Sequence, residues 1–351
     1  MNDEIITVKV AASKNYDVVI GRGILPHVGK YVADLGNIDK VAIVADDNVD
    51  ALYSDVAERS LRESGLKTIK TVFKSGEKNK TMSTVAKITE DFAKGGLSRA
   101  SLVLALGGGV TGDTAGFAAG IYMRGIRYAQ VPTTLLAAID SSVGGKTGVN
   151  LRSGKNLAGL FNQPELVFTD TAVFKTLPDV QLLNGIGEGI KYAVLDGGEI
   201  FDILKSGFTE DNAARFTELC VGYKRDVVEA DEREHGVRKL LNLGHTVAHS
   251  IEKLSRYTAP HGLAVASGLR FMSEACVRRG FLQASECARI AALMDKYGLG
   301  GDFGYKTSDL IREMIHDKKR AGARISLVIV NAVGKCSYIS VETSVLKEFF
   351  A

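Results

Sequence analysis

The chain has 351 residues, of which 45% are hydrophobic and 24% charged, and its formal net charge is +3 at pH 7. This length exceeds that of a typical domain with one hydrophobic core, and it predicts two domains. The small net charge argues against nucleic-acid binding, and no stretch of 18 consecutive apolar residues predicts a membrane span. The four cysteines lack metal-ligand spacing and the N-terminus lacks a secretion-signal pattern, so we expect reduced thiols in a cytoplasmic protein.

Strands and helices alternate in the first half of the chain. Apolar runs predict strands at residues 5–10, 16–20, 41–45, 70–73, 101–106 and 128–131, and helices at 52–64, at 82–94 and from about 113. This alternation predicts a doubly wound, mostly parallel α/β sheet. Ligands bind such sheets beyond the carboxyl ends of the strands. Polar residues and glycines at those ends could therefore face one ligand: Asp46, Glu77, Lys80, Gly108, Gly109 and Thr133.

A glycine cluster, Gly107-Gly-Gly-Val-Thr-Gly-Asp113, follows the apolar run at 101–106. Glycines in such a turn let the backbone approach a phosphate, and the next helix N-terminus supplies free N–H groups and the positive end of a dipole. Asp113 could then hydrogen-bond a ribose or a backbone N–H group. The spacing is not G-x-G-x-x-G, so the cluster alone is weak evidence for a dinucleotide, and close strand–helix packing is the alternative explanation.

The second half is helical in period, with helices predicted at 180–194, 199–205, 211–229, 244–255, 262–279, 284–297 and 307–318. Two short strands follow at 325–330 and 335–341. We therefore place a domain boundary at 178. Residues 1–178 form a nucleotide-binding α/β domain and residues 179–351 a predominantly helical metal- and substrate-binding domain. A cleft between them is the expected place for chemistry.

Three polar groups interrupt the apolar helices of this second half. Glu188 and Lys191 share one helix face, and His245 and His249 are four residues apart on another. A glutamate and two histidines, with His261 as one of them, would form a His₂Glu site with an open position, the usual arrangement of catalytic zinc. The pattern leaves open whether His245 or His249 is the second ligand. Capping or core histidines and an ordinary surface ion pair are the alternative interpretation.

Basic residues next to glycines or in polar loops give a further signal. Several cations lining one pocket would suit a substrate that carries both phosphate and carboxylate groups. Each lysine taken singly is better explained by a solvated surface. The candidates are Lys146, Lys155, Lys191, Lys224, Arg238 and the pair Lys318-Lys319.

Together these motifs resemble the 3-dehydroquinate synthase family in order and spacing over nearly the whole chain. The matching segments are Gly107–Asp113, Arg124-Gly-Ile126, Pro132-Thr-Thr-Leu-Leu136, Asp140-Ser-Ser-Val-Gly-Gly-Lys-Thr-Gly-Val-Asn150, Gly154-Lys-Asn156, Glu188-Gly-Ile-Lys191, Leu241-Asn-Leu-Gly-His-Thr246 and His261-Gly262. The resemblance implies bound NAD⁺, a divalent metal (zinc or cobalt) and conversion of 3-deoxy-D-arabino-heptulosonate 7-phosphate to 3-dehydroquinate and phosphate. That reaction is the second step of the shikimate pathway. It proceeds by transient oxidation, phosphate elimination, re-reduction, ring opening and aldol cyclisation.

The resemblance also implies roles residue by residue. The metal ligands would be Glu188, His245 and His261. The residues lining NAD⁺ would be Asp46, Glu77, Lys80, Gly108, Gly109, Val110, Asp113, Thr133, Thr134, Thr176, Lys146 and Lys155. The substrate would contact Asp140, Lys146, Lys155, Asn156, Lys191, Lys224, Arg238, Asn242, His249 and one lysine of Lys318-Lys319. Arg124 would reach the phosphate bound by a neighbouring subunit, which implies a homodimer.

Three positions depart from the family pattern: Gly187 replaces a commoner alanine, Ala138 replaces a common glutamine, and Leu263 follows His-Gly where an acidic residue is usual. Other classes of protein share the layout. Metal-dependent polyol or alcohol dehydrogenases would release NADH and need fewer cations. Sister sugar-phosphate cyclases act on substrates without a carboxylate, so Arg238 and the segment 140–146 favour a dehydroquinate synthase. A non-enzymatic binding protein would not explain the metal-ligand pattern.

Overall fold

The computed structural model describes residues 5–318 and 324–351, and the side chains of residues 5–315 and 324–351. The chain forms two compact units. One comprises Met1–Leu177 and Ala213–Glu229, and the other comprises Pro178–Asn212 and Ala230–Ala351. None of the described helices is both long enough and apolar enough to cross a membrane.

The first unit is an α/β structure. Its strands are β1 Ile6–Ala11, β2 Asn15–Gly21, β3 Val41–Asp46, β4 Thr68–Phe73, β5 Leu102–Gly107, β6 Arg127–Pro132, β7 Lys146–Leu151, β8 Gly154–Phe161 and β9 Leu166–Asp170. Its helices are α1 Val28–Asp34, α2 Asp47–Val49, α3 Asp55–Glu63, α4 Met82–Lys94, α5 Gly109–Ile121 and α8 Ala213–Ala230. Strands β7 and β8 form a separate antiparallel hairpin.

The other seven strands form one sheet in the order β1-β2-β9-β6-β5-β3-β4. All neighbours pair in parallel except β1 with β2. Every residue of β5 is buried, which explains its uninterrupted apolar run, because a parallel strand is covered on both faces. Helices α4 and α5 pack on one face of the sheet around Val103 and Ala105. The predicted mostly parallel, doubly wound sheet is confirmed.

Two parts of this unit were missed by the sequence analysis. Strand β9 has only five residues, and a short apolar run of that length carries little periodic information. The β7–β8 hairpin is rich in glycine, and Gly148 and Gly159 face each other across it so closely that a Cβ atom on Gly159 would lie 2.1 Å from the backbone oxygen of Thr147. The helix predicted from about residue 113 begins at Gly109, immediately after the turn that ends β5.

Helix α8 corrects the predicted domain limits. The boundary at 178 assigned it to residues 179–351, but its residues Ala213–Glu229 belong to the first unit. Val221 packs with the apolar side chains of β1 and β2, and Glu229 Oε1 accepts a hydrogen bond from the Ala11 N–H group at 2.6 Å. The outer strands need an apolar cover, and the helix that supplies it comes from a distant part of the chain.

The second unit is predominantly helical, as predicted. Its helices are α6 Asp179–Asp196, α7 Glu199–Ser206, α9 His245–Leu254, α10 His261–Arg278, α11 Ala284–Lys296, α12 Thr307–Lys318 and α13 Leu346–Phe350, and its strands β10 Arg324–Ala332 and β11 Lys335–Glu342 form an antiparallel pair. Helix α10 is buried along most of its length and packs against α6 and α9. These three helices carry the polar residues described next.

Candidate active site

The second unit brings a glutamate and two histidines together. Glu188 lies on α6, while His245 and His261 are the first residues of α9 and α10. Oε1 of Glu188 lies 3.3 Å from Nε2 of His245 and 3.1 Å from Nε2 of His261. One potential ligand atom from each residue lies within 4.8 Å of the other two. His249 is outside this group, with its ring centroid 6.4 Å from that of His261.

Close packing of α6 and α10 sets this geometry. A Cβ atom on Gly262 would lie 1.9 Å from the backbone oxygen of Asn184, and one on Gly187 would lie 2.1 Å from the backbone oxygen of Gly262. The Gly262 N–H group also donates to Asn184 Oδ1 at 2.6 Å. The two helices therefore approach through glycines next to Glu188 and His261. Gly187, one of the departures from the family pattern, has a packing role in this chain.

The Glu188 carboxylate is a buried anion whose counter-ion is Lys191. Its side chain is inaccessible to solvent, and neither oxygen accepts a hydrogen bond of good geometry from the described residues. Lys191 Nζ lies 2.7 Å from Oε2 as an equally buried counter-ion. Burial alone would raise the pKa of Glu188, but the charges of Lys191 and His245 outweigh it and hold the pKa well below its usual range. The carboxylate is thus ionised and available as a ligand.

The surroundings of His261 are also suited to a cation. Burial alone would lower the pKa of this imidazole, but the Glu188 and Glu252 carboxylates next to its two ring nitrogens raise it to about 10. A divalent ion among these atoms would supply the positive charge that the imidazolium otherwise provides. Two imidazole nitrogens and one carboxylate are the donor set of many catalytic zinc sites. The residues present therefore fit a divalent metal such as Zn²⁺ or Co²⁺.

A compact segment before α9 carries Arg238 and Asn242. The carboxylate of Asp231 accepts hydrogen bonds from backbone N–H groups of residues 235, 236 and 238, at 2.9, 2.7 and 3.0 Å. Arg238 is 2% exposed and donates to the backbone oxygen of Glu232. The side-chain amide of Asn242 donates to Glu234. Both candidate substrate residues are therefore held by local hydrogen bonds.

In the first unit, the residues proposed for the cofactor gather at the carboxyl edge of the sheet. A Cβ atom on Gly108 would lie 3.0 Å from the Thr134 side chain, and the Thr133 N–H group donates to Gly107 O at 3.0 Å. Asp46 caps α2 and accepts a hydrogen bond from Thr111 at 3.1 Å. These contacts leave the backbone of the Gly107–Gly109 turn close to the N-terminus of α5, as phosphate binding requires.

Two further cofactor candidates have structural contacts. The Thr176 hydroxyl hydrogen-bonds the Tyr53 hydroxyl and donates to Val173 O at 3.0 Å. Val110 is partly buried against the apolar side chains under α5. The sequence analysis did not anticipate either contact.

Lys80 is the centre of a polar cluster between β4 and the β7–β8 hairpin. Its ammonium group lies 2.5 Å from Asp113 Oδ2 and 2.6 Å from Asn156 Oδ1. Asn150 connects the same elements, because its amide donates to Glu77 Oε1 at 2.8 Å and its oxygen accepts from the Asn156 N–H group at 2.9 Å. Asn156 is held at φ 53°, in the left-handed region. Lys155 Nζ lies 3.7 Å from Glu77 Oε1 at the edge of the cluster.

The remaining candidates differ in exposure. Lys224 is 6% exposed, and its ammonium group donates to the Asp140 carboxylate at 2.9 Å and to the Asp140 backbone oxygen at 2.6 Å. Lys146 and Arg124 are exposed. The Lys318 side chain and the whole of Lys319 lie outside the described residues.

Several polar residues in these clusters were not assigned a role from the sequence, among them Asn150, Asp231 and Glu252. Asn150 stood in a quoted motif, but nothing in one sequence links it to Glu77. The Glu252 side chain is 2% exposed and its Oε1 lies 3.2 Å from His261 Nδ1. An acidic residue on the apolar face of a predicted helix, seven residues after His245, was the available signal.

Comparison with known proteins identifies the family. The model of the 3-dehydroquinate synthase N-terminal domain matches residues 70–184, and that of the C-terminal domain matches residues 185–320. The chain belongs to the 3-dehydroquinate synthase family. A 3-dehydroquinate synthase from Alkaliphilus metalliredigens is 40% identical over 343 residues, which covers 95% of both chains.

Solved structures of related enzymes share the whole fold. A 2-deoxy-scyllo-inosose synthase complexed with carbaglucose-6-phosphate, NAD⁺ and Co²⁺ has a TM-score of 0.88 at 27% identity, covering 98% of this chain and 99% of the other. The 2-epi-5-epi-valiolone synthase ValA from Streptomyces hygroscopicus subsp. jinggangensis, with NAD⁺ and Zn²⁺ bound, has a TM-score of 0.87 at 27% identity, covering 97% of each chain. The expected dehydroquinate synthase-like fold is confirmed.

Proposed function

We propose that this protein is an NAD⁺- and divalent-metal-dependent lyase that converts 3-deoxy-D-arabino-heptulosonate 7-phosphate to 3-dehydroquinate and phosphate. The observation that carries the proposal is the buried cluster of Glu188, His245 and His261 in a chain that matches both domains of the 3-dehydroquinate synthase family. Relatives with that name are about as long as this chain and 40% identical to it. The second step of the shikimate pathway is therefore its metabolic place.

Glu188, His245 and His261 would hold the metal, and the turn Gly107–Gly109 with the residues around it would hold NAD⁺. When bound, the two groups supply polarisation of substrate hydroxyls and a reversible store for two electrons. The buried Lys191 would keep the Glu188 carboxylate ionised and oriented. His249, exposed on α9 beside the cluster, would move a proton between substrate and solvent.

The proposed substrate carries a phosphate and a carboxylate, and buried cations support that assignment. Lys191, Lys224 and Arg238 are 1%, 6% and 2% exposed. Lys191 and Lys224 are paired with Glu188 and Asp140, and buried ion pairs of this kind are candidates for a functional site. Arg238 offers a planar pair of N–H donors suited to a carboxylate, and lysines would orient the phosphate and stabilise developing oxyanions. Asn156, Lys146 and Lys155 would complete the contacts.

Sister cyclases are the alternative within this fold, because the two solved relatives are synthases of other cyclic products. Identity favours the dehydroquinate synthase assignment, at 40% to relatives of that name against 27% to these two. A metal-dependent polyol dehydrogenase is the remaining alternative, and it would release NADH.

We also propose a homodimer in which Arg124 contacts substrate bound by the partner. Support comes from four exposed apolar side chains, Ile121 and Met123 at the end of α5 and Leu157 and Phe161 on β8, which are 42, 43, 52 and 42% exposed. The end of α5 lies next to β8, where a Cβ atom on Gly120 would be 2.8 Å from the Leu160 side chain. Met123 and Arg124 have φ values of 50° and 69°, and strained backbone of this kind clusters at functional sites.

We also propose a cytoplasmic location for the protein. The four free cysteines support it, because thiols stay reduced in that compartment.

The test is phosphate release from 3-deoxy-D-arabino-heptulosonate 7-phosphate in the presence of NAD⁺ and Zn²⁺, with absorbance at 340 nm followed in parallel. We expect phosphate and dehydroquinate with no net NADH, and loss of turnover after chelation that Zn²⁺ restores. Glucose 6-phosphate and sedoheptulose 7-phosphate serve as comparison substrates. Turnover of either one in preference to the carboxylated substrate would assign a sister cyclase, and steady NADH formation from a polyol would assign a dehydrogenase.

A further inference from the structure

Glu252 is a buried carboxylate next to the candidate metal centre. It lies near the end of α9, is 1% exposed, and its Oε1 lies 3.2 Å from Nδ1 of His261. The other ring nitrogen of His261 faces Glu188 Oε1 at 3.1 Å. The imidazole thus stands between two carboxylates, one on the side of the proposed metal and one on the opposite side.

The two candidate histidine ligands are oriented by different acceptors. Nδ1 of His245 lies 3.1 Å from the backbone oxygen of Leu243, whereas Nδ1 of His261 faces the charged side chain of Glu252. A neutral imidazole carries one N–H group. An acceptor at Nδ1 keeps the proton there and leaves the Nε2 lone pair for a metal. A carboxylate in that position also makes the imidazole a stronger donor than a carbonyl does.

The turn between Glu252 and His261 is built to hold them together. The backbone oxygen of Glu252 accepts hydrogen bonds from the Tyr257 N–H group at 2.6 Å and from the Ser255 hydroxyl at 2.8 Å. Ser255 Oγ in turn accepts from the Ala259 N–H group at 3.2 Å. Arg256 and Tyr257 have φ values of 52° and 62°, a left-handed conformation that needs such support.

We propose that Glu252 is a positioning residue of the metal centre, which fixes His261 as an Nε2 ligand and strengthens it. This inference rests on the proposed metal function of Glu188, His245 and His261. A residue needed only to fill space at this position would not need a charge, because a buried carboxylate is stable only when it is hydrogen-bonded or paired. Glu252 lies at Nδ1 of His261, the ring nitrogen that faces away from Glu188. From there its negative charge can orient the imidazole and strengthen it as a metal ligand.

The experiment measures metal affinity rather than activity. Metal-free wild-type protein, Glu252→Gln and Glu252→Ala are titrated with Zn²⁺ against a chromophoric chelator, and with Co²⁺ while the visible ligand-field spectrum is recorded. We expect Zn²⁺ affinity to fall about 10–100-fold in Glu252→Gln, as for other outer-shell carboxylates, and further in Glu252→Ala. The Co²⁺ spectrum should shift in Glu252→Gln, because the neutral amide weakens the His261 donor.

Glu313→Gln is the matched control, because Glu313 is a partly buried carboxylate whose ion pair at 2.6 Å is with Lys253, the neighbour of Glu252. It should bind Zn²⁺ like the wild type. Glu252→Gln keeps the volume and an acceptor oxygen, so its metal-free melting temperature should stay near that of the control. Wild-type affinity and spectrum in Glu252→Gln would overturn the inference. Failure of the wild type itself to bind Zn²⁺ or Co²⁺ would instead overturn the proposed metal function.

Discussion

Lys80 shows how one buried side chain connects the strands of the first unit. Lys80 is 4% exposed, and its ammonium group pairs with Asp113, whose pKa is raised by burial although the charge of Lys80 opposes the shift. It also hydrogen-bonds Asn156, a candidate substrate contact. Lys80, which we expect to line the cofactor site, therefore also has a structural role, because it binds Asp113 and Asn156.

Replacing Lys80 by methionine should destabilise the protein by on the order of 3 kcal/mol, because it leaves the Asp113 carboxylate partly buried without its partner. Urea unfolding at pH 7 measures this loss, and Lys80→Met with Asp113→Leu should recover part of it. Lys74→Met is the control, since Lys74 forms an exposed ion pair with Asp47 at 2.9 Å and should matter little. If Lys80→Met and Lys74→Met lowered the free energy of unfolding equally, this account would be contradicted.

Asp231 gives a pH-dependent prediction. Burial alone would raise the pKa of its carboxyl, but hydrogen bonds from backbone N–H groups of the following segment outweigh it and hold the pKa below its usual range. A lowered folded-state pKa stabilises the protein above the unfolded value of about 3.9 and stops doing so as the pH falls through the folded value. Asp231→Asn should therefore be less stable than the wild type at pH 7, by up to about 1 kcal/mol.

Urea unfolding of the wild type and Asp231→Asn at pH 7, 5 and 3 checks this expectation. The difference in free energy of unfolding should be constant between pH 7 and 5 and should narrow toward pH 3. A difference that stays constant down to pH 3 would show that charge is not involved. Because the same carboxylate holds the backbone before Arg238, Asp231→Asn should also raise KM for the proposed substrate.

At the scale of elements, the contact between α6 and α10 positions the candidate ligands. Gly262→Ala would place a methyl group 1.9 Å from the Asn184 backbone oxygen, so the helices must separate. We expect a loss of about 1–3 kcal/mol in stability. Metal affinity should fall as well, because Glu188 and His261 lie on the two helices that separate.

Thermal unfolding and Zn²⁺ titration measure the two effects of Gly262→Ala. The control is Gly222→Ala on α8, where a Cβ atom would meet nothing within 4 Å. That substitution should stabilise the protein by about 0.5–1 kcal/mol, since alanine favours a helix interior over glycine. Unchanged metal affinity in Gly262→Ala would show that the helix contact does not position the ligands.

At the scale of the whole molecule, the proposed homodimer predicts complementation between inactive variants. Arg124→Ala lacks the cation offered to the partner, and Glu188→Gln lacks a metal ligand. In a mixed dimer, one site would combine an intact metal centre with an intact Arg124 from the other subunit. Co-refolded mixtures should then recover about a quarter of wild-type activity, since half of the dimers are mixed and each has one complete site.

The measurement is phosphate release by each variant alone and by the co-refolded mixture, with light scattering to establish the oligomeric state. Mixing without unfolding is the control and should restore activity only as fast as subunits exchange. A dimer whose co-refolded mixture stays inactive would exclude a role for Arg124 across the interface. A monomeric wild type would exclude the dimer itself.

The sequence by itself determined the local features and their chemistry. The uninterrupted apolar run of β5 predicted a buried parallel strand, and the glycine cluster after it predicted a turn at the ligand-binding edge. Glu188, His261 and one of His245 and His249 were enough to propose a metal site, and the family resemblance implied His245. These signals are local, because a strand, a turn and a helix face depend mainly on residues that are near in the chain.

Only the tertiary structure decided which distant residues meet. It brought His245 rather than His249 to Glu188, placed Glu252 behind His261, and connected Asn150 to Glu77 across 73 residues. It also showed that α8 belongs to the first unit, where it covers strands β1 and β2. Such contacts depend on how helices and strands pack, and one sequence carries no record of that packing. The side chains that support the candidate ligands were therefore the ones that sequence analysis left without a role.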